Sequence, residues 1–219
     1  MAKTIVTAAV CTTLLCAGTA LATSTPQQNC TAGNPLAPPL KTGQITSYGT
    51  GSDGDLQKGL ARSYTDNGDG TITDNTTGLM WEKKDRAGSV HDYGNTYTWG
   101  MMSSPYTMNG TMVTTFLAGL NTPPCFAGHC DWRIPNRNEL ESLVNLQNVS
   151  PAVDTVFNTN CVASCTVTSC SCTQSEGYWS STSNQPGPDL AWGVGFRVGR
   201  QGYAAKSSSF YVRAVRGGL

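Results

Sequence analysis

The chain has 219 residues, enough for one sizeable domain with a terminal extension. It carries 14 basic and 14 acidic residues and only 13% charged residues in all, so we expect no nucleic-acid partner. Glycine, serine, threonine and asparagine are abundant, which is typical of a loop-rich β or α+β domain and excludes a helical bundle.

The N-terminus predicts a secretory signal over residues 1–22. Lys3 supplies a positive start, residues 5–21 form a short apolar stretch, and Ala20-Leu21-Ala22 fits the small-x-small cleavage pattern. The stretch is too short and too interrupted to span a bilayer comfortably, and no later segment is apolar enough to cross one. We therefore expect export to the periplasm, the cell surface or the medium, with no membrane span after the signal is removed.

The cysteines predict disulfide bonds, because an exported protein meets an oxidising environment. Of nine cysteines, Cys11 and Cys16 would leave with the signal, and Cys30 stands far from the rest. Seven cysteines remain after removal of the signal, and an odd number cannot all pair within one chain. Cys30 is therefore the candidate for an unpaired thiol or a bridge to another chain. The candidates for disulfides are Cys125, Cys130, Cys161, Cys165, Cys170 and Cys172.

Only the first of these pairings has a local signal. Cys125 and Cys130 are five positions apart and predict a small bridged loop. The remaining four cysteines lack the paired C-x2-C spacing of a structural zinc site, so disulfides are favoured over zinc. Their connectivity stays open.

Along the chain, residues 23–59 predict a flexible lead-in rich in Pro, Gly and Ser, and residues 60–219 form the domain. A meander is predicted at the start of the domain, since Asn-Gly and Asp-Gly supply the positive φ angles of tight hairpins. Its strands are expected at 60–64, 71–74 and 79–82.

Two helices are predicted next. Phe116, Leu117 and Leu120 recur at helical spacing within 112–120. A second helix, over 137–145, begins after Asn136, which is a plausible N-cap with Glu139 three residues later, as in a capping box. Three final strands are expected at 178–181, 191–196 and 210–216, where apolar residues alternate.

Metal and catalytic motifs are not found. Asp66, Asp69 and Asp74 fall at the wrong positions for a calcium-binding loop, and a hairpin explains them. His91 and His129 belong to no recognisable triad or metal motif. We therefore expect no enzyme activity, no metal and no cofactor.

Basic residues are concentrated at the C-terminal end. Residues 190–219 contain five basic residues and no acidic one, whereas residues 23–189 contain eight basic and fourteen acidic. Arg213, like Arg133, is expected to tie the fold together by pairing with carboxylates such as Asp131 or Glu139. By contrast, a Gly-rich segment at 199–209 predicts an exposed loop. The candidate ligand-binding residues in and beside it are Arg197, Arg200, Tyr203 and Lys206.

Four segments in this order resemble a known family. They are Tyr64–Lys83 (YTDNGDGTITDNTTGLMWEK), Asp131–Val144 (DWRIPNRNELESLV), Tyr178–Ser183 (YWSSTS) and Tyr211–Gly218 (YVRAVRGG). Together they resemble the bacterial DUF1566 family, which includes the C-terminal domain of the Legionella collagen-like adhesin. The resemblance implies an α+β, C-type-lectin-like fold: two helices packed on a twisted antiparallel sheet, with long disulfide-pinned loops.

The resemblance also implies a function in binding. It suggests a secreted or surface-exposed adhesin-like module for anionic, including sulfated, glycans, whose charges pair with Arg and Lys. The alternatives are a protein-interaction or structural subunit of a bacterial surface assembly, and a diversified ligand-binding protein of the same fold. The partner is therefore an anionic glycan or a surface protein, and the oligomeric state is left open, a homo-oligomer included.

Overall fold

The computed structural model describes residues 38–217, so the predicted signal and Cys30 lie outside the described residues. A four-stranded antiparallel sheet, ordered β1-β2-β3-β9, contains the predicted meander. Its strands are β1 (Tyr64–Asp66), β2 (Thr71–Asp74), β3 (Met80–Glu82) and β9 (Val215–Arg216). The β1–β2 turn holds Gly68 and Gly70 at φ 77° and 98°, as the Asn-Gly and Asp-Gly pairs predict.

A second antiparallel sheet has the order β5-β6-β7. Its strands are β5 (Gly177–Ser183), β6 (Leu190–Gly195) and β7 (Arg200–Ala205). A short pair, β4 (Tyr97–Thr98) with β8 (Ser209–Phe210), stands beside it. The predicted strand at 210–216 is thus divided, since its two ends pair in different sheets.

The helices are few and short. They are α1 (Asp53–Leu56), a π-helical turn (Met112–Leu117) that continues into α2 (Ala118–Asn121), α3 (Arg137–Glu141), and 3-10 turns at Phe126–Gly128 and Thr155–Phe157. No helix within residues 38–217 is long and apolar enough to cross a membrane. The architecture is therefore α+β, with a small helical part.

The predicted capping box starts α3. The side-chain oxygen of Asn136 accepts the Glu139 N–H at 2.9 Å, and the Glu139 carboxylate accepts the Asn136 N–H at 2.7 Å. The two terminal nitrogens of the Arg133 guanidinium donate to the same carboxylate, at 2.8 and 2.7 Å. The helix ends at Glu141 rather than near Asn145, because the chain turns there and Val144 pairs with Val153.

Two apolar clusters pack on opposite faces of the second sheet. The first packs Trp81 and Leu140 against Tyr178 and Val194 of that sheet. The second packs Trp99, Phe116 and Trp132, among others, against Trp179 on the opposite face. Neighbouring side chains of a strand point to opposite faces, so the adjacent pair Tyr178 and Trp179 anchors both clusters.

Three disulfides confirm the prediction for the cysteines. They join Cys125 to Cys130, Cys161 to Cys172 and Cys165 to Cys170, so that the last bond lies inside the loop closed by the second. The sulfurs of Cys165, Cys170 and Cys172 lie within 4.8 Å of one another. Every sulfur of this cluster is bonded to another sulfur, which leaves no thiolate in it for a metal.

The predicted lead-in is described from residue 38 onward, and there it is attached to the domain. Leu40 pairs with Leu60, and the Leu146 N–H donates to the Thr42 carbonyl at 2.9 Å. The Gln147 side chain accepts the N–H groups of Ile45 and Thr46, at 2.8 and 3.0 Å. Apart from the Leu40–Leu60 pair, these bonds use groups of Leu146 and Gln147, beyond the end of α3, which the composition of the lead-in cannot reveal.

Candidate ligand-binding groove

Glycines occupy one face of the second sheet at its open end. Gly177 pairs with Gly195 across β5 and β6, and Gly193 pairs with Gly202 across β6 and β7. Cross-strand partners point to the same face, and so do residues two apart along a strand. The four glycines therefore form a single patch without side chains, the glycine floor, next to Arg200, the partner of Gly195 on β7.

The same face is covered further along the sheet. Trp179 and Ala191 are fully buried there by the second apolar cluster. The Phe210 ring packs on Trp179, with ring centres 4.6 Å apart, and reaches the edge of the glycine patch. The covered part ends at Phe210, and the open part begins at Gly177.

The open part is a groove of about 810 Å³. This volume lies within the range of roughly 300–1,000 Å³ that is usual for ligand sites in proteins. Besides the glycines, its lining includes Glu176, Arg197, Arg200, Tyr203 and Phe210. The groove thus combines bare backbone, an aromatic ring and charged side chains.

The charged groups of the groove have no charged partner in the part of the chain that the structure describes. Glu176, Arg197 and Arg200 are exposed, and none of them forms an ion pair with any residue in the range 38–217. In contrast, Arg133 and Arg216 are each held by a carboxylate. The charges at the groove are therefore available to a ligand without breaking an existing bond.

Three of the four predicted ligand-binding residues line this groove. Arg197 lies in the β6–β7 turn and Arg200 opens β7. Tyr203 is 58% exposed, and its ring meets Trp192 edge-on at 5.3 Å. The strand register points the side chains of this aromatic pair to the face opposite the glycines, where Arg137 stacks on Trp192 at 4.9 Å. Tyr203 therefore borders the groove at the edge strand β7 and does not belong to its glycine face.

The fourth residue, Lys206, is not exposed as the predicted loop requires. It has no accessible surface, and its Nζ donates to the Tyr106 carbonyl at 3.2 Å and lies 3.9 Å from the centre of the Trp99 ring. Loss of solvent lowers the pKa of this amine. Lys206 therefore holds the 99–106 segment against the end of β7 and does not line the groove.

The predicted exposed loop over 199–209 is mostly a strand. Its glycines and serines favour a loop, but β7 pairs with β6 over six residues, Arg200 to Ala205, and this pairing outweighs local preference. Sequence reasoning also missed Glu176, Phe210 and the glycine floor. The alternation Trp192-Gly193-Val194-Gly195-Phe196 was a usable signal, since it predicts a strand with one bare face.

The fold and site together define a class: a disulfide-braced α+β domain with an open, charged groove on an antiparallel sheet. A family model described as the Lcl C-terminal domain matches residues 70–216, and the chain belongs to this family. The match begins inside the β1–β2 turn and ends at the last residue of β9, so it contains the whole groove. No curated protein matches the chain.

Proposed function

We propose that this protein is an exported, non-enzymatic binding module that holds anionic glycans in the groove of the second sheet. One observation carries the proposal: Arg197 and Arg200, which form no ion pair within residues 38–217, line an open groove of ligand size. Arginine suits the role because its planar donors pair with carboxylate or sulfate oxygens. Membership of the Lcl C-terminal domain family is compatible with a surface-associated module.

The proposed location and fold have separate support. Three disulfides are typical of proteins that fold in an oxidising compartment, which supports export. The antiparallel sheets, short helices and disulfide-pinned loops support our proposal of a C-type-lectin-like fold.

Affinity chromatography tests the function. Wild-type protein should be retained on immobilised heparin or hyaluronan and should elute as salt rises, because exposed charges are screened over about 8 Å at physiological ionic strength. Arg197→Ser with Arg200→Ser should abolish retention and leave the melting temperature nearly unchanged, since neither guanidinium forms an ion pair with the described residues.

A matched control removes the same charge elsewhere. Lys58 and Arg86 are exposed and do not line the groove, so Lys58→Ser with Arg86→Ser should elute at nearly the wild-type salt concentration. If both double variants lose retention equally, general charge rather than the groove governs binding. Failure of the wild type to bind either resin would contradict the proposal.

The second candidate is a protein-interaction module of a surface assembly. The outer edge of β7 supports it, because β6 is the only strand that pairs with β7 in the described part of the chain. An extended segment of a partner can add to such an edge through backbone hydrogen bonds. This candidate is favoured if a protein partner binds with an affinity that neither the replacement of Arg197 and Arg200 nor a rise in salt changes.

A further inference from the structure

Three glycines of the groove floor are not required by the fold. None of Gly177, Gly195 and Gly202 has a positive φ, so backbone conformation does not demand glycine there. A Cβ on Gly202 would meet nothing within 4 Å, and one on Gly195 would meet only the Arg200 carbonyl at 3.6 Å. A Cβ on Gly177 would touch the Phe210 ring at an ordinary 3.5 Å.

Gly193 provides the contrast. Its Cβ would lie 2.4 Å from the Tyr178 carbonyl, so strand packing alone explains this glycine. The other three have no such explanation, although each glycine in a strand costs roughly 0.5–1 kcal/mol relative to alanine. A glycine inside a strand also marks places where a ligand approaches the backbone closely. The floor is therefore shaped for an occupant that lies flat against it.

The wall of the groove fits a sugar ring. Phe210 is held by its contact with Trp179 and borders the floor beside Gly177. The C–H face of a pyranose ring packs on an aromatic face, while its hydroxyls need polar partners at the rim. Glu176 is exposed in the lining, and its carboxylate can accept hydrogen bonds from sugar hydroxyls.

The charges of the groove restrict the glycan further. Two arginines and one glutamate line it, so the positive field of the arginines is opposed by a carboxylate. A densely sulfated chain would bring several of its negative groups close to Glu176, which is repulsive. A chain with isolated carboxylates can place one of them at Arg197 or Arg200 and a neutral, hydroxyl-bearing ring near Glu176.

We propose that the glycine floor and Phe210 seat a pyranose ring of an unbranched glycan that carries spaced uronate carboxylates, in preference to a densely sulfated one. This proposal rests on the proposed function and names the ligand class of the same groove. Gly195 and Gly202 determine the fit, and Glu176 discriminates against dense negative charge.

Calorimetric titration of the full exported protein with two octasaccharides of equal length, one from hyaluronan and one from heparin, tests it. At matched salt, the hyaluronan octasaccharide should bind more tightly. Gly202→Thr fills the floor without changing charge, and should weaken this binding by about tenfold or more. Because threonine favours strands and the site is open, the melting temperature of the Gly202→Thr variant should not fall.

Two further variants complete the design. Ala205→Thr adds a branched side chain to the same strand on the opposite face and should bind as the wild type does. Glu176→Gln should strengthen heparin binding severalfold and change hyaluronan binding by less than about twofold.

Three outcomes would overturn the inference. If Gly202→Thr binds hyaluronan as tightly as the wild type, the ring does not lie on the glycine floor. Tighter binding of heparin than of hyaluronan refutes the ligand class but leaves the proposed anionic-glycan function standing. If neither octasaccharide binds, both the ligand class and the proposed anionic-glycan function are refuted.

Discussion

At the scale of single residues, buried charges in this domain work as structural connectors. Glu82 has no exposed surface and accepts hydrogen bonds from Lys84, His91 and the Ala214 N–H, at 2.8 to 2.9 Å. Arg213 is buried beside it and donates to the Glu82 carbonyl at 2.8 Å and to the Cys172 carbonyl at 2.7 Å. These contacts join β3, the nested disulfides and the chain before β9.

Replacement of Glu82 by glutamine should destabilise the domain by about 3–5 kcal/mol, because the buried ammonium of Lys84 loses its counter-ion. Burial alone would raise the pKa of Glu82, but the charges of Lys84 and His91 and the hydrogen bonds lower it overall. A carboxylate with a lowered folded-state pKa stabilises the protein above its unfolded-state pKa, and this contribution is lost as pH falls through the folded-state pKa.

The melting temperature measured between about pH 6 and pH 3 checks this prediction. The wild type should lose stability more steeply on acidification than Glu82→Gln does. As a control, Asp131→Asn breaks an exposed pair with Arg216 and should change stability little at neutral pH. Parallel curves for the wild type and the Glu82 variant would mean that Glu82 is not the group that titrates.

Residue-scale roles were only partly predictable from the sequence. Arg133 pairs with Glu139, as expected, because both belong to one local motif at the start of α3. Arg213 was expected to pair with a carboxylate such as Asp131 or Glu139, but it donates to backbone carbonyls and to Thr173. Its partners lie about 40 and 131 residues away in the chain, and no local pattern indicates such contacts.

At the scale of elements, local signals were reliable where the cause is local. The capping box and the β1–β2 turn use only neighbouring residues, and both are present. β7 was not predicted because its stability depends on β6, and glycine at positions 199 and 202 favours a loop. The burial of Lys206 was not predicted for the same reason, since it depends on Trp99 and Tyr106, which are distant in the sequence.

The buried side of α3 and the turn that follows it give a prediction at this scale. Leu140, Leu143 and Val144 are 0%, 1% and 6% exposed and belong to the first apolar cluster, although the last two lie beyond the helix. Leu143→Ala should cost on the order of 2–5 kcal/mol of unfolding free energy, because it leaves a cavity in a packed cluster.

Urea titration followed by tryptophan fluorescence measures this loss. The matched control is Leu146→Ala, since Leu146 is 45% exposed and its truncation should cost much less. A loss below about 0.5 kcal/mol for Leu143→Ala would show that this face does not behave as core.

At the scale of the whole molecule, the groove is open because the two apolar clusters cover the second sheet unequally. The first cluster covers the face of Tyr178 and Val194, and the second covers only the Trp179 end of the other face. The rest of that face carries glycines, which offer no apolar surface to bury. Binding at this place therefore leaves the core undisturbed. Variants of Gly177, Gly195 and Gly202 are expected to fold, whereas a side chain at Gly193 would collide with the Tyr178 carbonyl.

The disulfides fix loops that have little apolar core of their own, so the pairing of the cysteines should be essential to the order of these loops. The chain between Cys161 and Cys172 has no helix or strand, and its own cluster consists of the four cysteines and Tyr93.

Peptide mapping of the exported, unreduced protein should find Cys161 joined to Cys172, Cys165 to Cys170, and Cys125 to Cys130. Alkylation before reduction should label none of these six, and the intact mass should also place the mature start at the predicted Thr23. Cys165→Ser with Cys170→Ser removes the inner bond, whose loop is shorter than that of the outer bond and constrains the unfolded chain less. It should therefore cost less stability than Cys161→Ser with Cys172→Ser. Pairing of Cys161 with Cys165, or six alkylated thiols before reduction, would contradict the nested arrangement.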